Sequence, residues 1–209
     1  TGILPSNNCI QVNDIYLNKE NLKEYMLSIG VVFFDDQNKF LFEKVIDELA
    51  FPLENLNYKK KDITNMLYEI RNLFRLENCI NKKIDELTEY EKVKVLIATS
   101  LIHRPKIVFL DNILSRLNES ECKELFKILQ EVKKDTTFCI TSSSLDNILL
   151  FDKVIVLGDK NVKIEGNPDE VLHQDNELSK LGFIIPSMID LSLKLNFYGV
   201  RSEEHTSEL

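Results

Sequence analysis

The chain is poor in the residues that build metal centres and covalent staples. Its four cysteines, Cys9, Cys79, Cys122 and Cys139, and its three histidines are scattered without C-x-x-C or comparable spacing. They leave no metal-ligand pattern, and a reducing compartment fits them best. Long hydrophobic runs are also missing. The most apolar stretches are cut within about ten residues by polar groups such as His103-Arg104-Pro105-Lys106, too short to span a bilayer, and no secretory signal is visible. Glycine is rare, and none of the six stands in a G-x-x-x-x-G-K-[ST] pattern, so the sequence contains no phosphate-cradling loop of that kind. Positive charge is in deficit. With 26 basic against 34 acidic residues the net charge is −8, which argues against non-specific attraction to nucleic acid or to an anionic membrane.

What is present suits a soluble globular chain. Its 209 residues, 44% hydrophobic and 29% charged, make one large domain, or one with an appended piece, able to hide roughly 70% of its unfolded surface. The organising stretch is 106–112, Lys-Ile-Val-Phe-Leu-Asp-Asn. Four apolar residues closed by an acid, after Arg104-Pro105, read as a strand buried on both faces of a parallel sheet. Ligands of open α/β sheets bind beyond the carboxyl ends of the strands, which places Asp111 at a crevice. The pattern is that of a Walker B strand, whose aspartate holds nucleotide-bound magnesium. A buried strand followed by a turn-forming Asp-Asn is the alternative reading.

Around it, apolar and polar residues alternate over 9–17, as in a half-exposed antiparallel strand, and 28–34 is a more apolar strand. A polar turn at 35–39 precedes apolar residues at helical spacing over 40–49, up to Pro52. Residues 62–76 carry Ile63, Met66, Leu67, Ile70, Leu73 and Phe74 on one face of a helix. Thr88 with Glu91 forms a capping box for a largely buried helix, and Asn118 with Glu121 caps the next, over 122–132. A strand at 136–141, a short helix at 146–150, a strand at 154–157, a hairpin turn at 158–161 and a strand at 162–164 follow. Pro168 starts a helical tail. Alternating helices and strands mark a parallel sheet with crossover connections.

In this order the elements resemble an ATP-binding cassette subunit, closest to the ATPases of energy-coupling factor transporters, which drive uptake of vitamins and metal ions. The resemblance is carried by Thr1-Gly-Ile-Leu-Pro, Ile29-Gly-Val-Val-Phe, Asn38-Lys-Phe-Leu-Phe, Asp47-Glu-Leu-Ala-Phe-Pro-Leu-Glu-Asn-Leu, Asp85-Glu-Leu-Thr, the 104–111 strand, Phe151-Asp-Lys-Val-Ile-Val-Leu, Glu165-Gly-Asn-Pro-Asp-Glu-Val-Leu and Leu181-Gly-Phe-Ile-Ile-Pro. It implies an α/β fold of the P-loop NTPase type, with a mainly parallel sheet, antiparallel edge strands and a helical subdomain over about 53–103. Residues 1–200 would form the nucleotide-binding domain, with a helical tail over 168–200. The Walker A loop would fall upstream of Thr1, its absence being truncation. Residues 201–209 resemble the translation of a sequencing-library adapter and are expected to be a non-native tail.

The resemblance also places the working positions, and most are altered. Asp111 is the magnesium aspartate. Asn112 follows it where the family has its glutamate base, and a carboxamide takes no proton at neutral pH. Phe34 holds the glutamine-loop position. Thr88, Glu89 and Tyr90 stand at the signature, where two glycines normally let helix amides approach the partner's γ-phosphate; Glu89 would add a negative charge and Tyr90 bulk. Asn118 replaces the aspartate of the dimer-contact loop, and Ser143 occupies the switch-histidine position. The implied cofactors are ATP and Mg2+. The implied partners are membrane-embedded transporter subunits and a second ATPase subunit, at the cytoplasmic face of the membrane, with no nucleic acid. Phe33, Phe34, Phe40, Phe42 and Phe51 crowd the region that receives a helix of the membrane subunit, and Phe34 and Phe40 are the expected contacts. Phe33 and Phe51 fit equally well as core. Three readings follow: an uptake-transporter ATPase subunit impaired in hydrolysis, a non-catalytic scaffold of the same fold, or a soluble P-loop NTPase. The last is disfavoured because no basic stripe appears.

Overall fold

The computed structural model describes residues 11–12, 15–16, 20–33 and 40–197. The chain divides into two compact units, residues 1–142 and 143–209. In the first, Gln11–Val12 (β1) and Ile15–Tyr16 (β2) pair antiparallel, Val12 opposite Ile15. The alternating run expected as one strand is therefore two, separated in sequence by Asn13 and Asp14, both turn-forming types. Leu22–Ser28 (α1) is a helix that periodicity does not announce. Its Tyr25 is buried while Leu22, Met26 and Leu27 are exposed, so apolar residues ring it and no stripe stands out.

A parallel sheet follows. Ile29–Phe33 (β3), Ile107–Asp111 (β4) and Thr137–Ile140 (β5) pair in the order β3-β4-β5. The register sets Ile29 beside Ile107, Phe33 beside Asp111, and Ile107 beside Thr137.

Four longer helices complete this unit. Val45–Asn55 (α2) starts five residues later than the apolar spacing from 40 suggests, and it runs through Pro52 instead of stopping there. Leu49 and Leu53, on either side of the proline in sequence, are fully buried. Their packing offsets the one N–H that Pro52 lacks. Lys60–Leu73 (α3) ends earlier than expected, in a turn at Arg75 (φ 52°) whose follower Leu76 donates to the Arg71 carbonyl at 2.9 Å and is fully buried. That is a Schellman ending with arginine where glycine is usual. Glu89–Leu101 (α4) is buried along most of its length, and Glu119–Val132 (α5) buries Cys122, Leu125, Phe126, Ile128 and Leu129. Strand β3 lies so close to α4 that a Cβ on Gly30 would stand 2.6 Å from the Ser100 carbonyl oxygen.

The second unit is a hairpin with short helices. Val154–Gly158 (β6) and Asn161–Gly166 (β7) pair antiparallel. Between them Asp159 (φ 50°) and Lys160 (φ 64°) both take left-handed conformations, the type I′ geometry that suits strand twist. Pro168–Leu172 (α6), Asp175–Lys180 (α7) and Ser187–Phe197 (α8) follow. Leu145, Ile148, Val156, Ile164, Val171, Leu172 and Leu178 form the core of this unit. No helix among the described residues is long and apolar enough to cross a membrane.

Two measurements test this packing. Gly30→Ala forces its methyl onto the Ser100 carbonyl and is expected to cost about 1–3 kcal/mol in urea denaturation. His103 follows α4; its ring nitrogen Nε2 lies 3.2 Å from the Ile29 carbonyl oxygen, Nδ1 is buried without a partner, and burial lowers its pKa from 6.5. Below 6.5 the unfolded chain therefore takes up a proton that the fold resists. The contribution of the neutral ring is present above that value and is lost as the pH falls toward the lower folded value. Between about pH 7.5 and about pH 5.5 the wild-type protein should lose more stability than His103→Gln.

Candidate functional site

The alternation of β4 delivers the site. Val108 and Leu110 are fully buried, and Asp111 is the first exposed residue at the carboxyl end of the strand. Thr141, just past β5, donates its backbone N–H to the Leu110 carbonyl at 3.0 Å. Its hydroxyl donates to Asp111 Oδ1 at 2.5 Å and accepts the Asn112 N–H at 3.0 Å. One hydroxyl thus fixes both the carboxylate and the residue after it. Asn112 takes a left-handed conformation, φ 50° and ψ 29°, which asparagine tolerates better than most residues. Its carbonyl accepts the Ser115 hydroxyl at 2.9 Å. Thr141 is a candidate site residue that no motif marks; its signal in the sequence is a hydroxyl at the end of the strand next to β4.

Across the edge, Phe33 faces Asp111 in register and is 57% exposed. A bare ring thus stands where a polar partner for magnesium would be useful. The expected glutamine-loop residue, Phe34, lies outside the described residues. Among the described residues no three His, Cys, Asp or Glu side chains gather as a metal site. One carboxylate alone does not hold Mg2+, which favours octahedral oxygen coordination. The described residues therefore fit the ion only in part.

Thr88, Glu89 and Tyr90, the residues expected at the signature, lie at the N-terminus of α4. The Thr88 hydroxyl accepts the Glu91 N–H at 3.2 Å, and the Glu91 carboxylate accepts the Thr88 N–H at 2.8 Å. Both bonds are those of the expected capping box. Glu89 is exposed and pairs with Lys92 at 3.0 Å. Tyr90 turns inward. Its hydroxyl is buried without a well-formed hydrogen bond, its ring lies 4.9 Å from the Lys94 ammonium, and burial together with the neighbouring Glu124 carboxylate pushes its phenol well above the usual pKa. Asn118 caps α5 in the same way as Thr88 caps α4, accepting the Glu121 N–H at 3.0 Å and donating its own N–H to Glu121 at 2.9 Å. Ser143 opens the second unit as an exposed residue.

Phe40 is partly buried, while Leu41 is 72% exposed. Phe42 is partly exposed and packs on Phe51 with ring centroids 5.2 Å apart. Beneath them Glu48, only 5% exposed, accepts the N–H groups of Leu41 and Phe42 at 2.9 and 3.0 Å. Glu48 thus holds the backbone of 41–42 ahead of α2, a role that only the folded path reveals.

No family profile matches the chain. Among curated proteins it is 28% identical over 203 residues to the energy-coupling factor transporter ATP-binding protein EcfA1 of Mesomycoplasma hyopneumoniae (strain J), covering 96% of this chain and 75% of that one. It is 30% identical over 205 residues to EcfA1 of Ureaplasma parvum serovar 3, covering 96% and 69%. Among solved structures it matches cbiO1 of Clostridium perfringens, described as part of the ABC transporter complex cbiONQ, with TM-score 0.75 and 26% identity over 91% of this chain and 78% of that one. A β3-β4-β5 parallel sheet with Asp111 at its carboxyl edge and relatives at this identity and coverage lead to one assignment: the chain belongs to the energy-coupling factor transporter ATP-binding proteins, a family of ATP-binding cassette ATPases.

Proposed function

We propose that this chain is the ATP-binding-cassette subunit of an uptake transporter for a vitamin or metal ion, and that this copy does not hydrolyse ATP. In this reading it docks on membrane-embedded subunits at the cytoplasmic face and pairs with a second ATPase subunit. The complex named for the cbiO1 neighbour and the transporter naming of the EcfA1 relatives support the assembly. The observation that carries the loss of hydrolysis is Asn112. It follows Asp111 directly, its backbone is locked by Thr141 and Ser115, and its amide has no site for the proton of an attacking water. Removing a general base costs about 10²–10⁴-fold in rate.

A second reading, the non-catalytic scaffold, is favoured by the end of α4. Helix N-terminal amides attract phosphate when they are free. Here the first-turn carboxylates Glu89 and Glu91 occupy that end, and Glu91 closes back on the Thr88 amide. An incoming γ-phosphate meets negative charge at the place where it needs donors. ATP and Mg2+, when bound, would supply the phosphoryl chemistry. Asp111 is the residue here that would face the metal, and Thr141 would orient it.

Purified protein should release phosphate from ATP no faster than a protein-free control, and Asn112→Glu should not restore turnover, because the α4 end remains closed. Nucleotide titration should give a Kd weaker than roughly 1 mM; magnesium-dependent turnover or sub-micromolar affinity sinks the reading. For docking, Leu41→Asp should lower association with co-expressed membrane subunits by about tenfold or more while leaving the urea midpoint unchanged. Undiminished co-purification would place the contact elsewhere.

A further inference from the structure

We infer that Glu48 is a positioning residue that makes the 40–45 segment and the entry to α4 a single mechanical piece. A carboxylate is costly to bury unless hydrogen bonds replace its water. Glu48 is almost fully buried, and one oxygen, Oε2, accepts both the Leu41 and the Phe42 amides. The backbone of 41–42 is therefore pulled inward while the Leu41 side chain is turned out to solvent.

The segment is then tied sideways. Val45 donates to the Lys82 carbonyl at 3.2 Å and Ile84 donates to the Glu43 carbonyl at 2.8 Å, an antiparallel bridge centred on Lys44 and Lys83. The Lys83 ammonium reaches Glu43 at 3.2 Å on the exposed side, while Val45 and Ile84 bury their side chains on the other. From Ile84 the chain makes one 3-10 turn, in which Leu87 donates to the Ile84 carbonyl at 3.1 Å, and reaches Thr88, the cap of α4. Backbone hydrogen bonds thus link Glu43 to the cap of α4, and the Glu48 carboxylate fixes the 41–42 amides at the other end. Force applied at Leu41 passes through that carboxylate-held backbone into the bridge. That a membrane subunit is what applies the force rests on the docking reading above.

Amide hydrogen exchange on the full chain tests the clamp. Glu48→Met removes the acceptor at similar volume, and Glu48→Gln keeps one oxygen. In Glu48→Met the Leu41 and Phe42 amides should exchange roughly tenfold or more faster, with a rise also at Ile84, and Glu48→Gln should show the same pattern more weakly. If Glu48→Met does not fold, Glu48→Gln alone decides. Wild-type protection at 41–42 in the variant, or acceleration confined to 41–42 with Ile84 unchanged, overturns the inference. Co-purification with the membrane subunits should fall in parallel with the loosening. A variant with accelerated exchange but wild-type association upholds the clamp and overturns the docking reading.

Discussion

The constraint beneath the site is the parallel ladder of β3, β4 and β5. Its register fixes which residues reach the carboxyl edge together: Phe33 from the first strand and Asp111 from the second, with Thr141 just past the third. Because Val108 and Leu110 are held in the core, a slip of one residue would expose them and bury Asp111. The hydrophobic pattern of β4 therefore specifies the position of the carboxylate as firmly as any contact the carboxylate makes. The Thr141 hydroxyl then adds direction, and it can do so only because β5 ends where β4 ends.

Both longer capped helices of the first unit, α4 and α5, are closed at their N-termini by glutamates three residues past the cap. This device stabilises a helix end by about 0.5–2 kcal/mol, and it uses the very amides that an anion would seek. At α4 the same residues thus favour folding and disfavour phosphate. Tyr90 alters the electrostatic picture less than its size suggests. Its hydroxyl is buried near Glu124, so the outward group at this end of α4 is Glu89.

Much of this was legible in the sequence because it depends on local chemistry. Thr88 with Glu91 and Asn118 with Glu121 are spacing rules, and both boxes form. The apolar run before Asp111 needs only a buried strand, and the polar residues at 158–161 need only a hairpin turn. What was not legible depends on tertiary context. Pro52 looked like a helix stop because the cost of a missing donor is local, whereas the packing of Leu49 and Leu53 that overrides it is not. Glu48 carries no signal in the apolar spacing of 40–49, and only the folded path of 41–42 shows why a charge occupies a core position. Thr141 carries no motif, and its role exists only because β5 lies beside β4.

Asn112, Asn118 and Thr88 are also residues that suit the local backbone of the fold. The residue after Asp111 sits at φ 50°, where a glutamate is strained and an asparagine much less so. The amide side chain at this position therefore suits the backbone it sits on. Asn118 caps α5 as well as an aspartate would. Thr88 and Glu91 cap α4 reciprocally, each side chain accepting the other's backbone N–H. Asn112, Asn118 and Thr88 thus serve the backbone directly, as a left-handed turn and two helix caps, while Glu48 and the β4 core are held by burial.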